Sequence, residues 1–172
     1  MVCAGISGLF PKSVFAAIDE LATTERTLSL YNPHTKDSFN GVYWRKGQYD
    51  RNALKTINHI MRDFRLNDVK QIDTRLLDLL AEISLKLKPK RPFHVISGYR
   101  SPETNAKLRK RGKGAAKNSY HIQGKAVDIR LPGYRTSVLR RTAFKLRKGG
   151  VGYYPHQRFV HIDVGPIRYW KG

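Results

Sequence analysis

The segment NSYHIQGKAVDIRL, residues 118–131, sets His121 and Asp128 seven residues apart on either side of Gly124. Further on, RFVHIDVG, residues 158–165, supplies His161 and Asp163. Imidazole nitrogen and carboxylate oxygen are the donors that borderline divalent cations accept. Two histidines and one aspartate would leave a fourth position of a tetrahedral zinc ion open, the arrangement of a catalytic zinc and not of a structural one. An ion held that way lowers the pKa of a bound water to about 7 and polarises a carbonyl group.

Backbone alternation gives a reason for these residues to meet. Along 124–131, Val127, Ile129 and Leu131 point one way and Ala126, Asp128 and Arg130 the other. Along 158–164, Val160, Ile162 and Val164 point one way and Phe159, His161 and Asp163 the other. If the two strands pair antiparallel, Asp128 and His161 stand side by side. Gly124 lets the preceding loop turn back so that His121 reaches the same point.

Hydrolysis also needs a proton carrier and a group for the developing oxyanion. His156, five residues before His161 in YYPHQR, is the candidate acid/base. Arg100, at the end of SGYR, offers a guanidinium for a carboxylate or an oxyanion. Asp163, two residues past His161 on the same face, is a candidate either to orient a ligand histidine or to serve as a structural hydrogen-bonding partner behind the site. The other histidines read as ordinary structure: His34 in a turn, His59 on a helix, His94 on a strand.

The elements that must position these groups follow from periodicity. A helix capped by Ser13 is expected over 13–22. Strands at 27–31 and 38–44 form a hairpin around the Asn32-Pro33 turn. Leu54, Ile57, Ile60, Met61 and Phe64 mark one face of a helix over 51–64. Asp73 caps a helix over 73–87 bearing Leu76, Leu77, Leu80, Ile83 and Leu87. A strand from 92 breaks at Gly98 into a polar loop through 105. A basic helix end and loop follow at 106–118, a strand at 124–131, a helix at 135–148, and two strands within 149–165. Without regular βαβ alternation, this pattern implies an α+β fold with a small, mainly antiparallel sheet flanked by helices.

Composition bounds the partners. The chain of 172 residues has 33 Lys and Arg against 13 Asp and Glu, a net charge of +20. Such a surface attracts polyanions, whether nucleic acid or the anionic polymers of a bacterial envelope. No nucleic-acid recognition motif accompanies the charge, so nucleic acid is the weaker reading. The single cysteine, Cys3, excludes an internal disulfide and a cysteine-built zinc site. No apolar run approaches the length of about 18 residues that a membrane-spanning helix requires. The opening MVCAGISGLFPKSVFAA ends in small residues like the remnant of a signal peptide, but it lacks the basic start of a complete one.

At these residues a resemblance appears. SYHIQGKAVDI follows the S-x-H-x-x-G-x-A-x-D signature of zinc D-Ala-D-Ala carboxypeptidase-like peptidases, and FVHIDVGPIRYW resembles their closing ligand strand. SGYRSPETN looks like their arginine motif, and RTLSLYNPHTKDSF is similar to the YcbK/MepK-like branch of murein endopeptidases. The resemblance covers about residues 26–171. It implies a hedgehog/D-Ala-D-Ala-peptidase-like catalytic domain over 26–172, with 1–25 as an N-terminal segment that is a signal remnant or a helix. It also implies Zn²⁺ on His121, Asp128 and His161, with catalytic roles for His156 and Arg100 and a structural or substrate-facing role for Ser119. Where some members of the family carry a glutamate or a histidine just before the last ligand, this chain has Arg158 and Phe159. The implied activity is hydrolysis of peptide cross-links in peptidoglycan by water activated on the metal, in the periplasm or cell envelope. A D-Ala-D-Ala carboxypeptidase and a non-catalytic module that binds polyanions or murein are the alternatives.

Overall fold

The computed structural model describes residues 24–112 and 115–172, so the expected helix at 13–22 and Cys3 lie outside the described residues. In chain order the elements are β1 (Glu25–Tyr31), β2 (Ser38–Arg45), β3 (Gln48–Tyr49), α1 (Arg51–Ile60), α2 (Thr74–Leu87), β4 (Phe93–Ser97), α3 (Pro102–Lys110), β5 (Ala126–Arg130), α4 (Thr136–Leu146), β6 (Gly150–Tyr154), β7 (Phe159–Asp163) and β8 (Arg168–Lys171). Among the described residues the strands form one eight-stranded sheet in the order β3-β2-β1-β4-β5-β7-β6-β8. Its pairings are antiparallel except β1 with β4 and β6 with β8. The architecture is α+β with a mainly antiparallel sheet, although eight strands make it larger than the pattern implied.

The alternation in the strands determines which sheet face is covered. Leu28 and Leu30 of β1, Val127 and Ile129 of β5, and Val160 and Ile162 of β7 join one core with Ile57 and Ile60 of α1 and Leu76, Leu77, Leu80 and Ile83 of α2. Burying each such side chain contributes about 1.5–3 kcal/mol. The helix α1 lies over β1 and β2, α2 over β1 and α4, and α4 over β6 and β7. Asp128 and His161 therefore lie on the sheet face turned away from these helices.

Capping follows sequence where the cap is local. Asp50 accepts from the backbone N–H groups of Asn52 and Ala53 at 2.8 and 2.9 Å and starts α1. Asp73 accepts from Arg75 N–H at 3.0 Å and starts α2. At its other end α2 closes on Lys88 in the left-handed region, just before Pro89.

Tertiary contacts override the pattern elsewhere. The apolar spacing runs to Phe64, yet α1 ends at Ile60. The Met61 carbonyl accepts from Tyr99 N–H at 2.7 Å, and Asp63, wholly buried, accepts from Ser101 N–H and Oγ–H at 3.0 and 2.8 Å. Turning Asp63 inward satisfies its charge but ends the helix. The expected polar loop after Gly98 instead contains α3. Ser101 Oγ accepts from Thr104 N–H at 3.1 Å, with Pro102 opening the helix and Glu103 in its first turn. These residue types are an N-terminal helix signal.

Two glycines allow the close approaches that bring the site segments together. A Cβ on Gly98 would lie 2.3 Å from the Met61 carbonyl oxygen. Gly124 has φ +68°, and a Cβ there would lie 2.5 Å from the Gln71 carbonyl oxygen. The Gly124 carbonyl accepts from Asp73 N–H at 2.9 Å, tying the His121 loop to the start of α2. Gly124→Ala combines left-handed strain of about 1–2 kcal/mol with a backbone clash. It is expected to cost at least about 2 kcal/mol of stability, read as a lowered urea midpoint.

Candidate metal centre

His121, Asp128 and His161 each contribute a ligand atom to a group whose atoms all lie within 4.8 Å of one another. They are 1%, 7% and 9% exposed, so little water competes for them. Asp128 and His161 are direct partners in the β5–β7 ladder, and Ser97 of β4 pairs with Asp128 from the other side. His121 comes from the turns between Ser119 and Gly124. There Ser119 Oγ accepts from His121 N–H at 3.3 Å, and Arg100 N–H donates to the His121 carbonyl at 3.2 Å.

The second nitrogen of each ring fixes which nitrogen faces the group. His121 Nδ1 lies 2.6 Å from the Gly98 carbonyl oxygen, which can only accept, so Nδ1 carries the proton and Nε2 faces inward. His161 Nε2 lies 2.9 Å from Asp163 Oδ2, leaving Nδ1 to face Asp128 Oδ1 at 2.9 Å. His121 Nε2 is 3.3 Å from that same oxygen and 3.1 Å from His161 Nδ1. Two nitrogens and one carboxylate oxygen thus converge, each ring held from behind by an acceptor. Such outer hydrogen bonds hold metal-ligating histidines in orientation.

A layer of charge supports this group. Asp163, wholly buried, accepts two Arg168 N–H groups at 3.0 and 2.7 Å and the backbone N–H groups of Gly150 and Gly165 at 3.2 and 2.8 Å. The Arg168 guanidinium sits 5.1 Å from the Tyr120 ring centroid and 5.0 Å from that of Trp170. Trp170 in turn packs on the His161 ring at 5.1 Å and donates Nε1–H to Tyr154 Oη at 2.9 Å. Arg100, 9% exposed, donates to Asp128 Oδ2 at 3.2 Å, and its buried Nε has no hydrogen-bond partner among the described residues.

These contacts shift the ionisation of the group. Burial opposes charge on Asp128, but the His121 and His161 imidazoles outweigh it and hold the carboxyl well below its usual range. Burial likewise opposes charge on Asp163, yet hydrogen bonds from His161, Arg168 and Gly165 hold it at about 2. His121 is pushed down by burial, and the Arg100 charge adds to that effect against the pull of Asp128. For His161 burial also favours the neutral ring, but the flanking carboxylates of Asp128 and Asp163 prevail and raise it.

A cleft of about 710 Å³ opens onto the group, lined among others by Arg100, Ser119, His121, Asp128, His161 and Trp170. The structure thus brings together His121, Asp128, His161, Arg100, Asp163 and Ser119. It does not bring in His156, which is exposed on the β6–β7 turn and outside the cleft lining, although Tyr154 and Phe159 at the ends of that turn line the cleft. His34 and Arg65 also line the cleft. Sequence reading took His34 for an ordinary turn residue, because nothing local reports that its turn closes over the site. Arg168 and Trp170 were likewise passed over as site residues, though both fall in FVHIDVGPIRYW.

Comparison with known proteins finds relatives along nearly the whole chain. The family model described as peptidoglycan L,D-endopeptidase MepK matches residues 20–170. The chain is 41% identical over 164 residues to peptidoglycan L,D-endopeptidase MepK of Escherichia coli K12, covering 95% of this chain and 89% of the relative. The Shigella flexneri protein of the same name matches to the same extent. The probable peptidoglycan L,D-endopeptidase MepK of Haemophilus influenzae is 39% identical over 172 residues, covering 99% of this chain and 91% of the relative.

Two outcomes follow from the geometry. Asp163→Asn takes away the negative charge behind His161 and replaces one of its two acceptor oxygens with an N–H donor, and is expected to weaken metal binding about 10–100-fold, measured by competition with a chromophoric chelator. The second concerns pH. The His161 pKa is raised, so its contribution to metal-free stability is full below about 6.5 and lost as pH climbs through the raised value. A metal ligated at Nδ1 must displace that proton. Metal affinity should therefore increase with pH until His161 is neutral in the free protein, with proton release detectable by calorimetry in buffers of different ionisation enthalpy.

Proposed function

Because this chain belongs to the peptidoglycan L,D-endopeptidase MepK family, we propose that it is a zinc-dependent peptidoglycan endopeptidase that hydrolyses peptide cross-links, at bonds joining an L- to a D-configured centre. The observation that carries this reading is the convergence of His121, Asp128 and His161 at the base of a cleft. Two imidazoles and one carboxylate suit Zn²⁺, and three protein donors leave a position open for the reaction. Residues 26–172 are taken as the catalytic unit.

When bound, the metal supplies Lewis acidity toward a water and toward the scissile carbonyl. The chain supplies the rest. Asp128 and His161 hold their donors inward from adjacent strands, and Gly98 and Asp163 keep both rings from rotating. Arg100 is tied to Asp128 by one terminal nitrogen and retains a buried Nε–H donor without a partner among the described residues. An unspent buried donor on a cleft-lining residue is suited to a developing oxyanion. His156, on the turn between two cleft-lining residues, is our candidate for the proton carrier. The net charge of +20 favours association with anionic murein and its attached polymers, and the proposed place of action is the periplasm or cell envelope. No helix among the described residues is long and apolar enough to cross a membrane.

The test is incubation of the purified protein with cross-linked muropeptide dimers, with and without chelator, with products identified by mass. Cleavage that stops with chelator and returns with zinc is expected; no cleavage by zinc-loaded protein would refute the reading. His121→Ala and Asp128→Ala should each lose bound metal and turnover together. His156→Ala should keep full metal content and lose about 10²–10⁴-fold in rate. Retention of the full rate would remove His156 from the mechanism.

A further inference from the structure

Three arginines line the cleft: Arg65, Arg100 and Arg168. Two have carboxylate partners within the protein, Arg100 with Asp128 and Arg168 with Asp163. The third does not. Among the described residues no carboxylate lies within ion-pair distance of the Arg65 guanidinium, and the residue is exposed.

Yet Arg65 is held in place. Its guanidinium carbon lies 4.2 Å from the centroid of the Phe64 ring, and the other partner of that ring is His34, stacked at 4.1 Å with an interplanar angle of 8°. Stacking fixes the plane of a guanidinium and leaves its N–H edge free to bind. The backbone beneath is fixed as well. Arg65 N–H donates to Asp63 Oδ1 at 3.1 Å, and the other oxygen of that buried carboxylate holds Ser101, the residue after Arg100. His34 is anchored through its N–H to Asn32 Oδ1 at 2.9 Å. The free cation therefore stands on a loop bolted to the segment that carries Arg100.

Its charge is also unfavourable to its neighbours. Burial already disfavours the charged form of His34, and the field of Arg65 adds to that. A preorganised cation that repels its surroundings and has no counter-ion among the described residues gains most when an anion enters the cleft.

We propose that Arg65, stacked on Phe64 with His34 behind it, is a specificity residue that receives a free carboxylate of the peptide stem as the cross-link lies over the metal group. This inference rests on the peptidoglycan reading above for the identity of the ligand. A bidentate guanidinium–carboxylate contact matches the planar geometry on both sides, and it gives the cleft a reason to prefer acidic over amidated stems.

The test separates binding from turnover. Affinity of the zinc-loaded protein is measured for an uncross-linked stem muropeptide with free carboxylates and for the same peptide amidated, in wild type, Arg65→Gln and Arg65→Lys. Cleavage of the dimer is followed separately. Wild type is expected to bind the free acid about tenfold or more tighter than the amide, the size of a charge-assisted hydrogen bond. Arg65→Gln should lose that preference while keeping its metal content and its affinity for the amide, and Arg65→Lys should retain part of it. If wild type shows no preference, or Arg65→Gln discriminates as wild type does, the Arg65 proposal is overturned, whatever happens to the dimer. If discrimination depends on Arg65 but the dimer stays intact, Arg65 stands as the carboxylate site and the endopeptidase reading fails.

Discussion

The register of β5 against β7 decides whether there is a site at all. Val127, Ile129, Val160 and Ile162 must face the helices, and pairing Asp128 with His161 is the register that achieves this on both strands together. A slip of one residue would expose a row of β-branched side chains on one strand and drive a carboxylate or an imidazole into the core. The hydrophobic effect therefore holds two candidate ligands in place without contacting either. His121 has no such ladder. It depends on a loop made of turns, with Gly124 pressed against Gln71 and the Arg100 N–H bonded to its carbonyl.

The polar face of the sheet is organised in layers outward from these three residues. The innermost holds the donors. The next orients them: the Gly98 carbonyl and Asp163 for the rings, Arg100 for the second oxygen of Asp128. Beyond that, Arg168 balances Asp163 and is itself held between Tyr120 and Trp170. A buried carboxylate is tolerable only when its lone pairs are filled, and both Asp163 and Asp63 meet that condition. Asp63 performs the same service beside Arg100 and Arg65, where it ends α1, accepts from Ser101 and holds the backbone of Arg65. Local breaks in regular structure and the shape of the cleft thus have a common cause.

Charge has different meanings in different parts of the chain. Most of the basic excess lies on exposed side chains and acts at long range on anionic partners. The arginines of the cleft act at short range and differ in what they are free to do. Arg168 is spent on Asp163, Arg100 partly on Asp128, and Arg65 on no carboxylate among the described residues. A count of cations could not distinguish these roles, since each depends on which acidic residue the fold brings opposite.

Much of the architecture was legible in the residues, for reasons that are local. Period-2 alternation identified β5 and β7 and the faces of Asp128 and His161; helical spacing and Asp73 identified α2. The motif around His121 could be read because its glycine, alanine and aspartate spacing serves one strand and one turn. The start of α3 was also present in Ser101, Pro102 and Glu103, and was missed because the preceding Gly98 read as the opening of a loop. What no local rule could supply was everything set by contacts between distant segments. The early end of α1 follows from Asp63 meeting Ser101, 38 residues away. The parallel docking of β8 on β6 brings Arg168 and Trp170 to the site, and the stacking of His34 on Phe64 turns a surface turn into cleft wall. The sequence by itself determined which donors this protein has and which strand faces bear them, because that depends on neighbours along the chain. Only the tertiary structure decided which cations are neutralised, which imidazole nitrogen faces inward and that His156 stays outside the lining, because each of these depends on a partner that the chain reaches only after folding.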